Sequence, residues 1–311
     1  MLLTASANGL YAIAPTPFDD EGRVDFGSLD RLCDFYEESG ADGITILGVL
    51  GEAPKLGGDE ALAVARHVLA RTRLPIIVGV SAPGFAAMSN LGRAAMDSGA
   101  AGVMIAPAGG LKTDEQIAGY FAQAASALGP DTPFVIQDYP MVTGVTMSVR
   151  TIAQIVADNS SCVMLKHEDW PGLDKITRLR ELERAGDMRH ISILCGNGGL
   201  FLDFETERGA DGAMTGYAFP DMLVELVKLA AAGDRKAAHD LYDAHLPLLR
   251  YEHQPGVGLA VRKYVLMRRG VLASDYQRAP RSVLTEAARA EVEFLLERLA
   301  AHDSRAKLGA A

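Results

Sequence analysis

The chain has 311 residues, 49% hydrophobic and 23% charged, the composition of an ordinary globular protein with a large core. A formal net charge of -10 argues against a general nucleic-acid or anionic-membrane surface, and no apolar run reaches the ~18 residues of a membrane span or follows a basic leader. Cys33, Cys162 and Cys195 are dispersed, and no CxxC, HExxH or clustered His/Cys pattern occurs, so reduced thiols in a cytoplasmic protein and no metal site are expected.

Residues 10–14 read as a first strand, stopped by Pro15 and Pro17. A helix over 25–39 follows with Gly40 as its C-cap, then a strand over 43–47. The alternation continues through helix 58–73, strand 75–80, helix 86–98 and strand 102–106. Helix 113–128 opens on Thr113 with Gln116 three residues on, the spacing of a capping box. Strand 133–138, helix 148–157, strand 162–166, helix 173–185, strand 191–195, helix 200–209, strand 211–215 and helix 220–232 complete the series. About eight strand–helix units set the rhythm of a closed (β/α)8 TIM barrel; a doubly wound sheet alternates with fewer. The strands then stop, and 236–249, 258–269 and 285–301 read as further helices. Residues 1–233 are thus expected to form a barrel catalytic domain and 234–311 a C-terminal helical extension, with a frayed tail over 303–311.

Barrel chemistry lies where the strands end. That rule selects Thr16, the loop from Gly48 to Glu52, Gln137 to Pro140, Lys166 to Asp169, Gly196 to Gly199, and Thr215 with Gly216. Lys166 carries the argument. A lysine closing a buried strand is costly unless it is paired, neutral or covalently used. Desolvation can draw its pKa from ~10.4 towards ~7–8, and a neutral amine is a nucleophile for the carbonyl of a keto acid. The plainer alternative is an ion pair with Glu168 or Asp169. In Gly48-Val49-Leu50-Gly51-Glu52 the glycines let the backbone turn and offer N–H groups to an anion, as a carboxylate cradle or merely as a βα turn. Gly196-Asn197-Gly198-Gly199 and Gly212 to Gly216 follow strands seven and eight, where barrel enzymes often hold phosphate, but no basic residue flanks them closely.

The Gly-x-x-Gly-Glu loop, the Tyr-Pro-x-x-Thr-Gly turn at Tyr139 to Gly144 and the strand-six lysine together resemble the dihydrodipicolinate synthase / N-acetylneuraminate lyase family, over roughly residues 11–299. The resemblance implies a Schiff-base-forming lyase on a (β/α) barrel, usually a homotetramer, with a homodimer the alternative assembly. It implies Lys166 as the imine-forming nucleophile, with no cofactor beyond that covalent imine. Gly48, Val49, Leu50 and Gly51 would hold the carboxylate of a small 2-keto acid, joined by Thr16, Gly196, Thr215 and Gly216 as substrate-binding candidates.

Departures from the family pattern narrow the reading. Val49 and Leu50 stand where two hydroxyl residues are usual, Gln137 where a tyrosine shuttles protons, Val142 where the synthases carry an arginine, and Ala108-Gly109-Gly110 where another tyrosine is found. Val135 to Asp138, Lys166-His167-Glu168, Gly212 to Gly216, Phe219-Pro220-Asp221, and His245-Leu246-Pro247 with Glu252 and Gln254 are similar to 2-keto-3-deoxy-sugar-acid dehydratases, notably those acting on L-2-keto-3-deoxyarabonate. Glu168 falls on the same strand face as Lys166, as general base or acid or as simple charge compensation. Tyr139 restores a phenol to the site or packs. Dehydration or retro-aldol cleavage of a 2-keto-3-deoxy sugar acid is the leading reading; condensation of pyruvate, a non-catalytic keto-acid-binding relative and a phosphate-binding barrel enzyme are the competing ones. His67 and His239 read as surface residues, Trp170 as a pocket wall or a packing residue, and Arg262-Lys263 and Arg268-Arg269 as a solvated face or subunit contact.

Overall fold

Residues 1–308 are described in the computed structural model of the chain. The short apolar runs become eight parallel strands, β1 (Gly9–Ile13), β2 (Gly43–Ile46), β3 (Ile76–Gly79), β4 (Gly102–Ile105), β5 (Phe134–Asp138), β6 (Cys162–His167), β7 (Ser192–Cys195) and β8 (Gly212–Ala213). They close in sequence order, β8 pairing back to β1. This is the (β/α)8 barrel, with α1 (Phe26–Glu38), α2 (Gly58–Arg71), α3 (Phe85–Asp97), α4 (Asp114–Leu128), α5 (Pro140–Thr143), α6 (Val149–Asp158), α7 (Leu173–Ala185), α8 (Leu202–Glu207) and α9 (Pro220–Ala231) on its connections. Helices α10 (Arg235–Glu252), α11 (Gly258–Arg268) and α12 (Glu286–Ala300) follow.

Strand pleat sorts the side chains into two cores. Tyr11, Ile13, Ile77, Met104, Val135, Met164 and Leu194 fill the barrel interior, while Leu10, Ile44, Ile136, Leu165 and Ile193 pack outward against the helices. The period of two also sets what the strand ends present. On β6, Met164 faces in and Leu165 out, so Lys166 faces in and His167 out; on β5, Gln137 follows Val135 inward. Register places Gln137 directly beside Lys166.

Local signals hold at several ends. Thr113 Oγ1 accepts the Gln116 amide at 3.2 Å while Gln116 Oε1 accepts the Thr113 amide at 3.3 Å, completing the capping box. Gly40 takes φ 78°, the left-handed turn that ends α1. Other expectations are revised. The helix expected from residue 200 begins at Leu202, because Asn197–Gly199 forms a separate turn of 3-10 helix. Strand β8 is two residues long, yet its line of bonding continues, with Met214 donating to Cys195 and Ile13 donating to Thr215. The tail is not frayed over 303–308: His245 pairs with Asp303 at 3.0 Å, Arg305 pairs with Asp303 and Glu225, and Ala306 is buried. Residues 309–311 lie outside the described part.

The largest revision concerns α11. Residues 260–266 are all buried, so Arg262 and Lys263 are neither a solvated face nor surface cations. Lys263 Nζ donates to Glu52 Oε1 at 2.6 Å and to the carbonyls of Thr16 and Tyr276 at 2.8 and 2.9 Å. Glu52 also receives Lys55 at 2.9 Å and the Arg278 amide at 3.1 Å. The helical extension is therefore bolted to the first two strand-end loops of the barrel. Removing one partner of a buried pair leaves the other charge without its match. Lys263→Met is expected to lower the unfolding free energy by about 3 kcal/mol, seen as a drop in urea midpoint, while Lys55→Met costs under about 1 kcal/mol because its pair is wetter.

Candidate active site

A cavity of about 310 Å³ opens at the C-terminal ends of the strands, lined by Lys166, Glu168, Gln137, Tyr139, Asn197 and Thr215 from the barrel and by Glu252, His253, Gln254 and Arg262 from the extension. That volume suits a small ligand. Its apolar wall is Ile13, Val49, Leu50, Met141, Val142 and Leu259.

Lys166 is 4% exposed, and its Nζ lies 2.9 Å from Glu168 Oε2. Of the alternatives read from the sequence, the structure shows the ion pair with Glu168, and the pair sits in the cavity rather than away from it. Gln137 Nε2 donates to the same Glu168 oxygen at 2.9 Å, and the Asn197 amide approaches Oε1 at 3.4 Å. Glu168 is a shared acceptor held from three sides. Asp169, the other expected partner, pairs instead with Lys175 at 2.6 Å, and Lys175 bonds Asp138 at 2.7 Å behind the strands.

Tyr139 lines the cavity, and burial followed by the Glu168 carboxylate pushes its phenol up to about 12. It therefore keeps its proton at neutral pH and can donate a hydrogen bond. His253 is held below its usual range by burial and then by the Arg262 charge, which keeps the imidazole neutral.

The substrate-binding candidates divide. Val49, Leu50 and Thr215 line the cavity. Gly48, Gly51, Thr16, Gly196 and Gly216 do not line it, and act on what does. Thr16 Oγ1 donates to the Gly51 carbonyl at 2.6 Å, pinning the loop. Within that loop Gly51 and Ala53 donate to Gly48 and Glu52 donates to Val49, so the Val49 and Leu50 amides are not spent on its turns. Leu47 and Glu52 flank it at φ 56° and 54°, a backbone that non-glycine residues rarely adopt. Gly196 is required by contact: a Cβ there would stand 2.2 Å from Glu168 Cγ. Gly216 likewise admits Arg262, whose Nη1 would lie 2.5 Å from a Cβ.

Trp170 does not wall this cavity. It meets Phe201 edge to face, with ring centroids 4.8 Å apart, beside a second hollow that shares Asn197 and includes Glu205. His67 pairs with Asp30 at 2.7 Å and His239 with Glu207 at 2.9 Å, both partly exposed. Among the described residues no group of three or more His, Cys, Asp or Glu is placed to hold a metal, and no helix is long and apolar enough to cross a membrane.

Against known proteins, the model of the dihydrodipicolinate synthetase family matches residues 6–299. The chain is 30% identical over 302 residues to an L-2-keto-3-deoxyarabonate dehydratase from Azospirillum brasilense, covering 95% of this chain and 96% of that one. It is also 30% identical over 284 residues to a 4-hydroxy-tetrahydrodipicolinate synthase from Nitrosococcus oceani, covering 90% and 94%. A crystal structure of a dihydrodipicolinate synthase from Rhodopseudomonas palustris superposes with a TM-score of 0.95 at 63% identity, covering 96% and 99%.

Glu205, under the second hollow, offers a test of this end of the barrel. Burial, then Asp203 and Glu168, pushes its carboxyl up to about 8. The folded state then keeps a proton that the unfolded chain releases above about 4.5, so stability falls as pH rises from there to about 8, by on the order of 5 kcal/mol. Glu205→Gln is expected to flatten the decline in urea midpoint between about pH 5 and pH 8.

Proposed function

Because this chain belongs to the dihydrodipicolinate synthetase family, whose members are lyases and aldolase-type enzymes, we propose that it forms a Schiff base between Lys166 and a 2-keto-3-deoxy sugar acid and expels water from it. The observation that carries this reading is the 2.9 Å Lys166–Glu168 pair inside a cavity of substrate size.

Glu168 accepts a proton from the Lys166 ammonium, and the freed amine attacks the C2 carbonyl. The carbinolamine loses its oxygen as water, leaving an iminium that acts as electron sink. No further cofactor is needed in this scheme. Glu168, once its proton has passed to the departing water, takes a proton from C3. The electrons form C3=C4 as the C4–O bond breaks, and the leaving hydroxide takes a proton from Tyr139 to depart as water. The proton that Glu168 took from C3 returns to the Tyr139 phenolate, and hydrolysis of the imine restores the Lys166 ammonium beside the Glu168 carboxylate. Gln137, which stands where the family commonly has a tyrosine, does not shuttle protons here; it orients Glu168. The free amides of Val49 and Leu50 suit the substrate's C1 carboxylate, doing with backbone what two hydroxyls do elsewhere in the family.

A second reading, condensation of pyruvate, is favoured by the name of the 63% identical structure. Against it stands Val142, an apolar side chain at the cavity in the position where the synthases carry an arginine.

Borohydride reduction with pyruvate or a 2-keto-3-deoxy acid should add the reduced ligand's mass to Lys166, located by peptide mass spectrometry; no adduct with any keto acid sinks the proposal. Lys166→Ala should abolish the adduct and turnover. Glu168→Gln should cut kcat about 100-fold or more, the scale of a lost acid–base group. Release of a dehydrated keto acid, rather than consumption of pyruvate with a second substrate, decides between the two reactions.

A further inference from the structure

Arg262 is a cation that the fold delivers from the helical extension to the cavity. Its side chain is 5% exposed, and it lines the same space as Lys166. Only Nε is engaged, donating to Glu252 Oε1 at 2.5 Å. Nη1 is sealed from solvent without a partner, and among the described residues no hydrogen bond is made by Nη2. Glu252 is itself buried, with Oε2 accepting the Ala218 amide at 3.2 Å. The arginine's charge is therefore matched from behind, Nη1 lies closed in against Gly216, and Nη2 is left to offer its hydrogens to the cavity. Buried donors in native proteins are generally satisfied by protein, water or ligand, and a guanidinium N–H suits a ligand oxygen.

We propose that Arg262 is a specificity-determining residue that binds the oxygen-bearing tail of the keto acid whose carbonyl meets Lys166, and that Glu252 sets it to prefer a hydroxylated tail over a second carboxylate. This rests on the reading that the cavity accepts a 2-keto acid. The preference follows from charge. Lys166 with Glu168 and Arg262 with Glu252 each sum to zero, so a cavity that takes one carboxylate on loop amides has no surplus cation for another. Neutral His253 and Gln254 stand in the same wall and can exchange hydrogen bonds with hydroxyls. Gly216 completes the arrangement by leaving room for the guanidinium.

The test uses the full chain. Turnover is compared for two 2-keto-3-deoxy acids of equal length, one ending in an alcohol and one in a carboxylate, with borohydride trapping of pyruvate on the wild-type enzyme as the check of the underlying reading. Arg262→Lys keeps a cation for Glu252 but loses the fork; kcat/KM for the alcohol-ended acid is expected to fall about 10- to 100-fold, mainly through KM. Glu252→Gln leaves the guanidinium uncompensated and should move the preference towards the carboxylate-ended acid about tenfold or more. A fall in kcat alone, with KM and the alcohol-to-carboxylate ratio untouched in both variants, marks a purely structural role and overturns the proposal. If neither variant folds, the wild-type enzyme decides: an alcohol-ended acid that competes with pyruvate no better than pyruvate itself, or a preference for the carboxylate end, overturns it. Absence of any wild-type adduct instead removes the imine reading beneath it.

Discussion

A carboxylate and an ammonium withdrawn from water are tolerable only as a pair, and the mouth of this barrel is built around that requirement. Glu168 meets Lys166 at 2.9 Å and is steadied by Gln137 and the Asn197 amide. Each of these depends on something further out. Gln137 reaches the carboxylate because β5 and β6 are in register. The Asn197 amide approaches because Asn197 adopts φ 49°, and Glu168 fits only because residue 196 has no side chain. The outward-facing neighbours Asp138 and His167 are set behind the sheet, where Lys175 neutralises Asp138 and keeps it out of competition for Lys166.

The extension repeats the solution twice. Arg262 with Glu252 and Lys263 with Glu52 are adjacent cations on one helix, each answered by a buried acid, one facing the cavity and one gripping the loop beside it. One pair stands in the cavity wall and the other ties the extension to the barrel. Barrel strands supply Lys166, Glu168 and Gln137 to the cavity and the helices past residue 234 supply its far wall, so the cavity belongs to both halves of the chain.

Most of the frame was legible in the amino-acid sequence, for a definite reason. Strand pleat has a period of two, so once β6 is located, Met164, Lys166 and Glu168 must share a face, and the same count on β5 brings in Gln137 and Tyr139. The opposite wall was not legible. Helix α11 is buried on nearly every side, and its run of Ala260 to Leu266 has no apolar stripe to show which way Arg262 and Lys263 turn. Charged residues on a helix ordinarily mean solvent, and only their partners reverse that meaning: Glu252 ten residues before Arg262 on the preceding helix, and Glu52 211 residues before Lys263. The signal that could have pointed there was the pairing of two cations with two acids inside otherwise apolar surroundings. Glycine candidates were found at the right places for a different reason: Gly196 and Gly216 matter as clearance for Glu168 and Arg262, and no ligand contact is needed to explain them.

The bond between Glu52 and Lys263 joins residues 211 positions apart in the chain. Its consequence is historical as well as mechanical. A descendant that shed its last three helices, or traded them for another segment by recombination, would leave Glu52 with Lys55 but without the buried cation that answers its other oxygen, so inheriting the two ends of the chain together keeps the acid matched. The side chains of Val49, Val142 and Arg262 line the cavity without entering this clasp, so they can be exchanged while it stays closed.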